Sequence, residues 1–476
     1  NRDGQHGGSR GAWLSGVKPI DSLHLGNQEN LPPSITEHKA YNRFFFLPLI
    51  IGLIGIVWHF KRNQKDAGVL ALLFIFTGVA IVVYLNSVPN EPRERDYAYV
   101  GSFYTFAIWI GLGVFGLKDW IFKKLSPVSA SIFASVIALA APVIMLQQGW
   151  DDHDRSESHL ARDISINNHK SCATNAILFT YGDNDTFPLW YAQEVEHVRR
   201  DVRIVNLSLF TADWYIDGML KKSNDSAPLP LTLKPGQYVA GTRDIMYYQD
   251  YKIAQSIELK EIVGVLLSDH DEDKVTMSDG SKYNVLPTKN LKISVNAKEV
   301  LDTGTVPLED AGKIAKTMEW TYNEDYVTKG TLALFDILAN NNWKRPIYFS
   351  NAMPTSQYIG LDKYLYSEGL NLRLLPLKPE VSDEQQQELV NVKPLYNNLM
   401  SLYEYGNIKN ANYLDRQSAD DANLFANMFN SLMAKLISEG KFTEGKKVAD
   451  RYFEVIPNRF QSMYQLASTF FLTENL

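Results

Sequence analysis

Four long apolar segments near the start of the chain constrain its fold more than any other feature. They cover residues 44–60, 69–86, 102–117 and 129–147, and short polar connectors separate them. Each approaches the ~20 residues that a helix needs to cross the hydrocarbon core of a bilayer. The sequence therefore predicts an α-helical transmembrane bundle of four helices over residues 44–148. Residues 1–43, which are polar and rich in Gly and Pro, are expected to form a loop outside the membrane.

The charges on the connectors predict the orientation of this bundle, because cytoplasmic loops carry an excess of Lys and Arg. Three positive charges stand against one negative charge in the first connector and again in the third. The second connector instead has two positive and three negative charges, Arg93, Arg95, Glu91, Glu94 and Asp96. The N-terminal loop of residues 1–43, this second connector and everything after residue 148 are therefore expected on the outer side. In a bacterium this means the inner membrane, with the C-terminal part in the periplasm.

The sequence after the membrane segments favours a periplasmic α/β domain over residues 149–380. Apolar runs at 176–180 and 203–209 read as buried strands, with a helix between them at 188–198, and a βαβ unit of this kind predicts parallel pairing. A β-rich, antiparallel insertion is expected at about 230–300. Further along, the patterns predict helices at 329–340 and 356–368 and strands at 346–350 and 370–377.

A helical, tetratricopeptide-like domain is expected over residues 383–476. Small and aromatic residues followed by a proline occur there at spacings close to that repeat, namely Ala434, Ile437, Gly440, Phe442, Tyr452 and Pro457. A second repeat would begin near Arg459, and an ordinary helical bundle is the alternative. The chain begins without Met and ends inside a helical pattern, so we expect it to be a fragment.

Composition excludes two classes of function. The net charge of −7 and the absence of a basic stripe argue against a nucleic-acid partner. The single cysteine, Cys172, excludes an intrachain disulfide framework and a cysteine-rich metal cluster. Because Cys172 stands beside an apolar run, we expect a buried structural thiol.

The outer connector carries the most unusual polar segment. Arg93, Glu94, Arg95 and Asp96 precede Tyr97 directly at the membrane boundary, where charges are costly unless they are paired or used. Two guanidinium groups can bind the phosphate of a membrane lipid, and the two carboxylates can hold them in place. The alternative is a set of ion pairs that only fixes the loop.

A second candidate ligand site is formed by Asp183, Asn184 and Asp185, which follow a predicted strand and precede a helix. Ligands in open α/β sheets bind beyond the carboxyl ends of strands. These side chains can hold a divalent cation or sugar hydroxyls, or Asp185 can merely cap the helix.

Two other polar segments have simpler interpretations. The acidic segment 151–154 can bind a divalent cation or begin a helix, and the second role is favoured. Lys344 and Arg345 suit the C-terminus of a helix. No phosphate-binding loop, dinucleotide fingerprint, zinc-protease motif or nucleophile elbow is present.

Four long motifs carry a resemblance to a known family. They are residues 92–104 (PRERDYAYVGSFY), 179–191 (FTYGDNDTFPLWY), 201–209 (DVRIVNLSL) and 343–349 (WKRPIYF). The chain resembles the C-terminal half of a bacterial family of large envelope membrane proteins. That family is grouped with the protein O-mannosyltransferase-like transmembrane proteins of the GT-C glycosyltransferase superfamily.

The resemblance implies a transferase that takes a sugar from a polyprenyl-phosphate donor and passes it to periplasmic protein acceptors. In such enzymes the catalytic acidic residue usually lies in a first outer loop that this chain does not contain, so the catalytic residue is unknown. Arg93 and Arg95 are the candidates to stabilise the departing lipid phosphate. No residue is assigned to a metal.

A non-catalytic reading competes with this one. A membrane-anchored periplasmic domain that ends in repeat-like helices can serve as a scaffold of an envelope or secretion complex, with a protein partner bound to the C-terminal helices. A transporter ranks last, because the predicted spans carry no charged residue at mid-depth.

Overall fold

The computed structural model describes residues 13–86, 96–156, 159–276, 280–379, 389–411, 414 and 416–457. The chain forms two compact units, Asn1–Ser156 and Glu157–Leu476. The first unit is helical and the second combines helices with a sheet. The helices of the first unit are α1 (Lys18–Leu25), α2 (Pro33–Thr36), α3 (Leu47–Arg62), α4 (Gln64–Thr77), α5 (Val79–Leu85), α6 (Val100–Gly116) and α7 (Pro127–His153).

Three helical segments of the first unit are long and apolar enough to cross a membrane. They are Gln64–Leu85, which joins α4 and α5, Tyr97–Trp120, which contains α6, and Pro127–His153, which is α7. Many of their apolar side chains point outward, as on helices that face lipid rather than water. The chain is therefore a membrane-anchored protein.

At the first of the four predicted spans the described helix is shorter than membrane length. Residues 44–60 were expected to span, but α3 has 16 residues, about 24 Å at 1.5 Å per residue. This is less than the ~30 Å hydrocarbon core. Phe45 and Phe46 have positive φ angles of 51° and 56°, so the helix begins only after them.

Glycines allow α3 and α6 to pack with their backbones almost in contact. A Cβ atom on Gly55 of α3 would lie 1.8 Å from the carbonyl oxygen of Trp109, and one on Gly113 of α6 would lie 2.3 Å from that of Ile51. Small residues at a helix crossing are a common way for membrane helices to associate. The short helix α3 is thus held against a candidate membrane span.

The second unit contains all the strands of the described residues, and its first described helix is α8. Its helices are α8 (Leu160–Ser171), α9 (Asp183–Glu194), α10 (Asp213–Met219), α11 (Pro235–Tyr238), α12 (Leu259–Leu267), α13 (Ala297–Asp302), α14 (Lys329–Asn340), α15 (Val392–Asn397), α16 (Arg416–Ser438) and α17 (Phe442–Val455). Its strands are β1 (Ile177–Thr180), β2 (Arg203–Asn206), β3 (Ile245–Tyr247), β4 (Ile257–Glu258), β5 (Lys274–Thr276), β6 (Lys282–Asn284), β7 (Asn290–Ser294), β8 (Thr317–Thr321), β9 (Tyr326–Thr328), β10 (Ile347–Ser350), β11 (Leu365–Ser367) and β12 (Asn371–Leu374).

A five-stranded sheet with the order β11-β12-β10-β1-β2 forms the centre of this unit. β1 pairs in parallel with β2 on one side and with β10 on the other, which confirms the predicted parallel pairing. Every residue of β1, β2 and β10 is buried. Parallel strands covered on both faces have this apolar character.

The β-rich segment differs in part from the antiparallel insertion that was predicted. Its strands form a three-stranded sheet, β4-β7-β8, and two ribbons, β3-β9 and β5-β6. β4 pairs with β7 in parallel, whereas β7 and β8 are antiparallel. The parallel pair is possible because α12 follows β4 and begins the connection to β7.

Two predicted helices were also wrong in detail. The segment 356–368 forms 3₁₀ turns at Thr355–Tyr358 and Asp362–Tyr364 and then β11. Ile359 and Gly360 interrupt it with φ angles of 52° and 85°. The helix expected at 188–198 is α9, which begins five residues earlier, at Asp183. Gly182 precedes it, so Asp185 lies in the first turn rather than at the cap.

Helices α16 and α17 form a hairpin at the end of the described chain. Gly440, with a φ angle of 72°, lies in the turn, and Phe429 packs edge-on against Tyr452 with ring centroids 5.7 Å apart. The segment from residue 458 onward, where a second repeat was expected, lies outside the described residues. The tetratricopeptide-like assignment stays a prediction.

Candidate functional site

The carboxyl ends of the three parallel strands form the candidate site. The chain runs from β1 through α9 to β2 on one side, and later returns to β10 on the other side of β1. The strand order therefore reverses between β1 and β10, which is the topological switch point where open α/β sheets bind ligands. The segment from Tyr181 to Asp185 lies at this point, directly after β1.

Asp185 links the two strands at the switch point. The hydroxyl of Ser350, at the end of β10, donates to Oδ1 of Asp185 at 2.7 Å, and the backbone N–H of Tyr181 donates to Oδ2 at 3.0 Å. The described residues provide no ion-pair partner for this carboxylate. Burial raises the pKa of Asp185 above its usual range, because the charged form loses water without gaining a cation.

The loop at Gly182 is fixed from the side of β2. Asn206, the fully buried last residue of β2, donates from Nδ2 to the carbonyl of Gly182 at 3.3 Å and to Oγ1 of Thr186 at 3.0 Å. The backbone N–H of Gly182 donates to the Ser208 hydroxyl at 3.2 Å. These bonds position the start of α9 rigidly against the sheet.

Exposed polar and aromatic side chains surround this fixed loop. Asp183 and Asn184 are exposed at the start of α9, where the helix dipole favours negative charge. Tyr181 precedes the helix, and Phe187 and Tyr191 follow one turn apart along it; all three rings are exposed. A carboxylate and an amide can hydrogen-bond hydroxyl groups, and exposed rings supply flat apolar contact. This arrangement suits a hydroxyl-bearing ligand.

We expect Asp185→Asn to remove part of the pH dependence of stability. The pKa of this carboxyl is higher in the folded state, so its contribution is fully present below the unfolded value, about 3.9. It is lost as the pH rises through the raised folded value. Denaturant unfolding between pH 4 and pH 8 should show a flatter profile for Asp185→Asn than for the wild type. Asp183→Asn, at the exposed neighbour, is the control, and identical profiles for all three proteins would refute the assignment.

The first sequence candidate lies mostly beyond the structural description. Arg93, Glu94 and Arg95 are outside the described residues. Asp96 begins a 3₁₀ turn, Asp96–Tyr99, and Tyr97 is exposed at the start of the Tyr97–Trp120 segment. Because this candidate and Asp183–Asp185 belong to different units, they are two separate hypotheses.

The acidic segment 151–154 ends α7 instead of beginning a helix, as had been favoured, and Asp152 has a structural role there. This buried carboxylate accepts from Nδ2 of Asn42 at 3.1 Å and contacts Nδ1 of His153 at 2.8 Å. Across the parts of the chain that the structure describes, no three His, Cys, Asp or Glu side chains are grouped to hold a metal ion.

Sequence reasoning missed three residues that build the switch-point site. Ser350, Asn206 and Ser208 each stand at the carboxyl end of a strand or just after it, so the rule that identified Asp183–Asp185 applies to them too. What the sequence lacked was the strand order, which brings β10 beside β1.

Comparisons with known proteins give one match. A search of curated proteins and of solved structures finds no match to this chain. Residues 161–394 match the family model described as TMEM260-associated domain 2. The matched segment includes the whole five-stranded sheet and the switch-point site. This part of the chain is therefore similar to a TMEM260-associated domain, which suggests a TMEM260-like membrane protein.

Proposed function

We propose that the protein is a TMEM260-like membrane glycosyltransferase that transfers a sugar from a polyprenyl-phosphate donor to periplasmic protein acceptors. The match of residues 161–394 to TMEM260-associated domain 2 carries this proposal. TMEM260 is protein O-mannosyltransferase-like, and the sequence motifs of this chain resemble the same superfamily. The three candidate membrane spans fit a donor that is itself embedded in lipid.

Side chains at one end of the helical unit support the proposed orientation. Trp58 of α3 donates from its indole to Asp119 at 2.9 Å, and the ammonium of Lys61 lies over the ring of Trp120 at 5.1 Å. Tryptophan and lysine concentrate at membrane interfaces, and lysine at the cytoplasmic one. In this orientation the second unit is periplasmic.

Each candidate site has a role in the proposal, and the two roles are independent hypotheses. An acidic residue deprotonates the acceptor hydroxyl, and Arg93 and Arg95 stabilise the phosphate that leaves with the lipid. At the switch point of the second unit, Asp183 and Asn184 bind hydroxyl groups of the sugar or the acceptor. The carboxyl of Asp185, which accepts a hydrogen bond from Ser350, holds Asp183 and Asn184 in a fixed position relative to β10.

The double variant Arg93→Ala/Arg95→Ala tests the lipid-phosphate role. Removing one group that stabilises transition-state charge typically costs about 10²–10³-fold in kcat, so transfer of labelled sugar to protein should become undetectable. The full-length protein must remain folded, as judged by its thermal unfolding in detergent. The matched control is Lys123→Ala/Lys124→Ala, which removes the same charge from the opposite connector. Equal transfer by both double variants would refute the role.

A further inference from the structure

A cavity of about 170 Å³ lies in the second unit, away from the switch point. It is at the amino end of β10, where α14 ends and α12 begins. Pockets for whole small-molecule ligands are usually about 300–1,000 Å³, so this one has the size for a side chain. Its lining residues are Glu258, Leu259, Lys260, Ile293, Ser294, Asn296, Glu299, Leu338, Ala339, Asn341, Asn342, Trp343, Ile347 and Leu374.

One wall of the cavity is held in a strained backbone conformation. Asn342 and Trp343 have consecutive positive φ angles of 48° and 58°. A left-handed conformation is unfavourable for a bulky residue, and it persists only where the surroundings enforce it. Such strain is concentrated at ligand sites.

Hydrogen bonds on both sides of Trp343 enforce this conformation. The side chain of Asn341 donates to the carbonyl of Arg345 at 2.8 Å and accepts from its backbone N–H at 3.3 Å, which closes the loop. The Arg345 guanidinium is itself bonded to the carbonyls of Asn175 and Ala176. The backbone of Trp343, a lining residue, is therefore fixed before any ligand arrives, which lowers the entropic cost of binding.

The charges at the cavity favour a cation. Glu258 accepts two hydrogen bonds from Ser294, one from the backbone N–H at 3.3 Å and one from the side-chain hydroxyl. Neither Glu258 nor Glu299 forms an ion pair within the described residues. Lys260 is the single cation among the lining residues, so two negative charges and one positive charge give the lining a net charge of −1. A tryptophan face attracts cations more strongly than any other ring.

Six further lining residues are apolar and suit an aliphatic stem, namely Leu259, Ile293, Leu338, Ala339, Ile347 and Leu374. Leu259 is fully buried, and Leu338, Ile347 and Leu374 are nearly so. A site that combines apolar side chains, a tryptophan and two carboxylates without an ion-pair partner among the described residues matches a side chain with a methylene stem and a cationic head. Lysine and arginine have this construction.

We propose that this cavity binds a lysine or arginine side chain of a polypeptide. The site is distinct from the switch point and does not depend on the transferase activity. Its ligand is recognised by a cation at the end of an aliphatic stem, with Trp343, Glu258 and Glu299 as the selective groups. In this proposal Trp343, the first residue of the sequence motif 343–349, contributes to ligand binding.

Calorimetric titration of the full-length protein in detergent with short capped peptides tests the proposal. A peptide with one central lysine should bind saturably at low ionic strength. The same peptide with norleucine, which keeps the stem and lacks the charge, should bind at least tenfold more weakly. Equal affinity for the two peptides would overturn the proposal, and so would an equal affinity for n-butylammonium, because the ligand would then be a free amine.

Matched variants separate the site from a general charge effect. Glu258→Gln/Glu299→Gln should weaken binding of the lysine peptide at least tenfold, and the glutamine at position 258 keeps one acceptor oxygen for Ser294. The control Glu272→Gln/Glu444→Gln removes the same charge outside the cavity and should bind like the wild type. Trp343→Leu should weaken binding severalfold, whereas Trp343→Phe keeps an aromatic face and most of the affinity. If the two double glutamine variants weakened binding of the lysine peptide equally, the proposal would be overturned. This outcome is independent of the result of the sugar-transfer assay.

Discussion

Replacing Arg345 with methionine should lower the free energy of unfolding of the second unit by at least about 3 kcal/mol. The guanidinium is buried and donates to three backbone carbonyls and one hydroxyl, those of Asn175, Ala176, Ala227 and Ser226. A buried polar group left without its partner costs about 1–3 kcal/mol. Methionine keeps the volume of the stem but supplies no donor, so several acceptors lose their partners together.

The exposed neighbour Lys344 provides the control for this prediction. Lys344→Met removes the same charge from the same segment, and an exposed substitution usually changes stability by less than about 0.5 kcal/mol. Urea unfolding of both variants measures the difference. A similar small change for both would show that the Arg345 bonds are unimportant. The helix-terminus role first expected for Arg345 is too weak for the larger loss.

Gly113→Ala should disrupt the contact between α3 and α6, whereas Gly111→Ala on the same helix should be tolerated. A methyl group on Gly113 would lie 2.3 Å from the carbonyl oxygen of Ile51, which is backbone and cannot rotate away. At Gly111 nothing lies within 4 Å. Overpacking typically costs about 1–3 kcal/mol, occasionally more. Alanine in place of glycine favours a helix by about 1 kcal/mol, so the two variants should change stability in opposite directions.

Thermal unfolding in one detergent, read out by aggregation, compares the two variants. The midpoint should fall for Gly113→Ala and stay constant or rise for Gly111→Ala. Equal midpoints would contradict the close packing of α3 on α6. That result would also remove the reason for placing the short α3 with the membrane helices.

The fold was predictable where local pattern and tertiary structure agree. The apolar runs identified three membrane-length helices, and the buried runs around α9 predicted the parallel pairing of β1 with β2. At the first predicted span the helix has only 16 residues, because Phe45 and Phe46 leave the helical region, which apolar composition does not reveal. The segment 356–368 failed because Gly360 packs against the carbonyl of Thr321, a contact made far along the chain.

The positions of the candidate sites could be predicted from the sequence, but the hydrogen-bond partners of their side chains could not. The strand-end rule identified Asp183–Asp185, yet the bond from Ser350 to Asp185 depends on β10 returning beside β1. Arg345 was assigned to a helix end because its sequence neighbours suggested nothing else. Its acceptors come from residues 175–176 and 226–227, which are distant in sequence. Cys172 was predicted correctly as a buried thiol, and burial raises its pKa.

Sugar transfer by the full-length protein, purified in detergent, tests the central claim most directly. The assay supplies a polyprenyl phosphate that carries a labelled sugar, together with periplasmic proteins, and follows label into protein. We predict saturable labelling that unlabelled donor competes away and that Arg93→Ala/Arg95→Ala abolishes. A folded protein that transfers no label from any polyprenyl-phosphate sugar would contradict the account and favour the membrane-anchored scaffold.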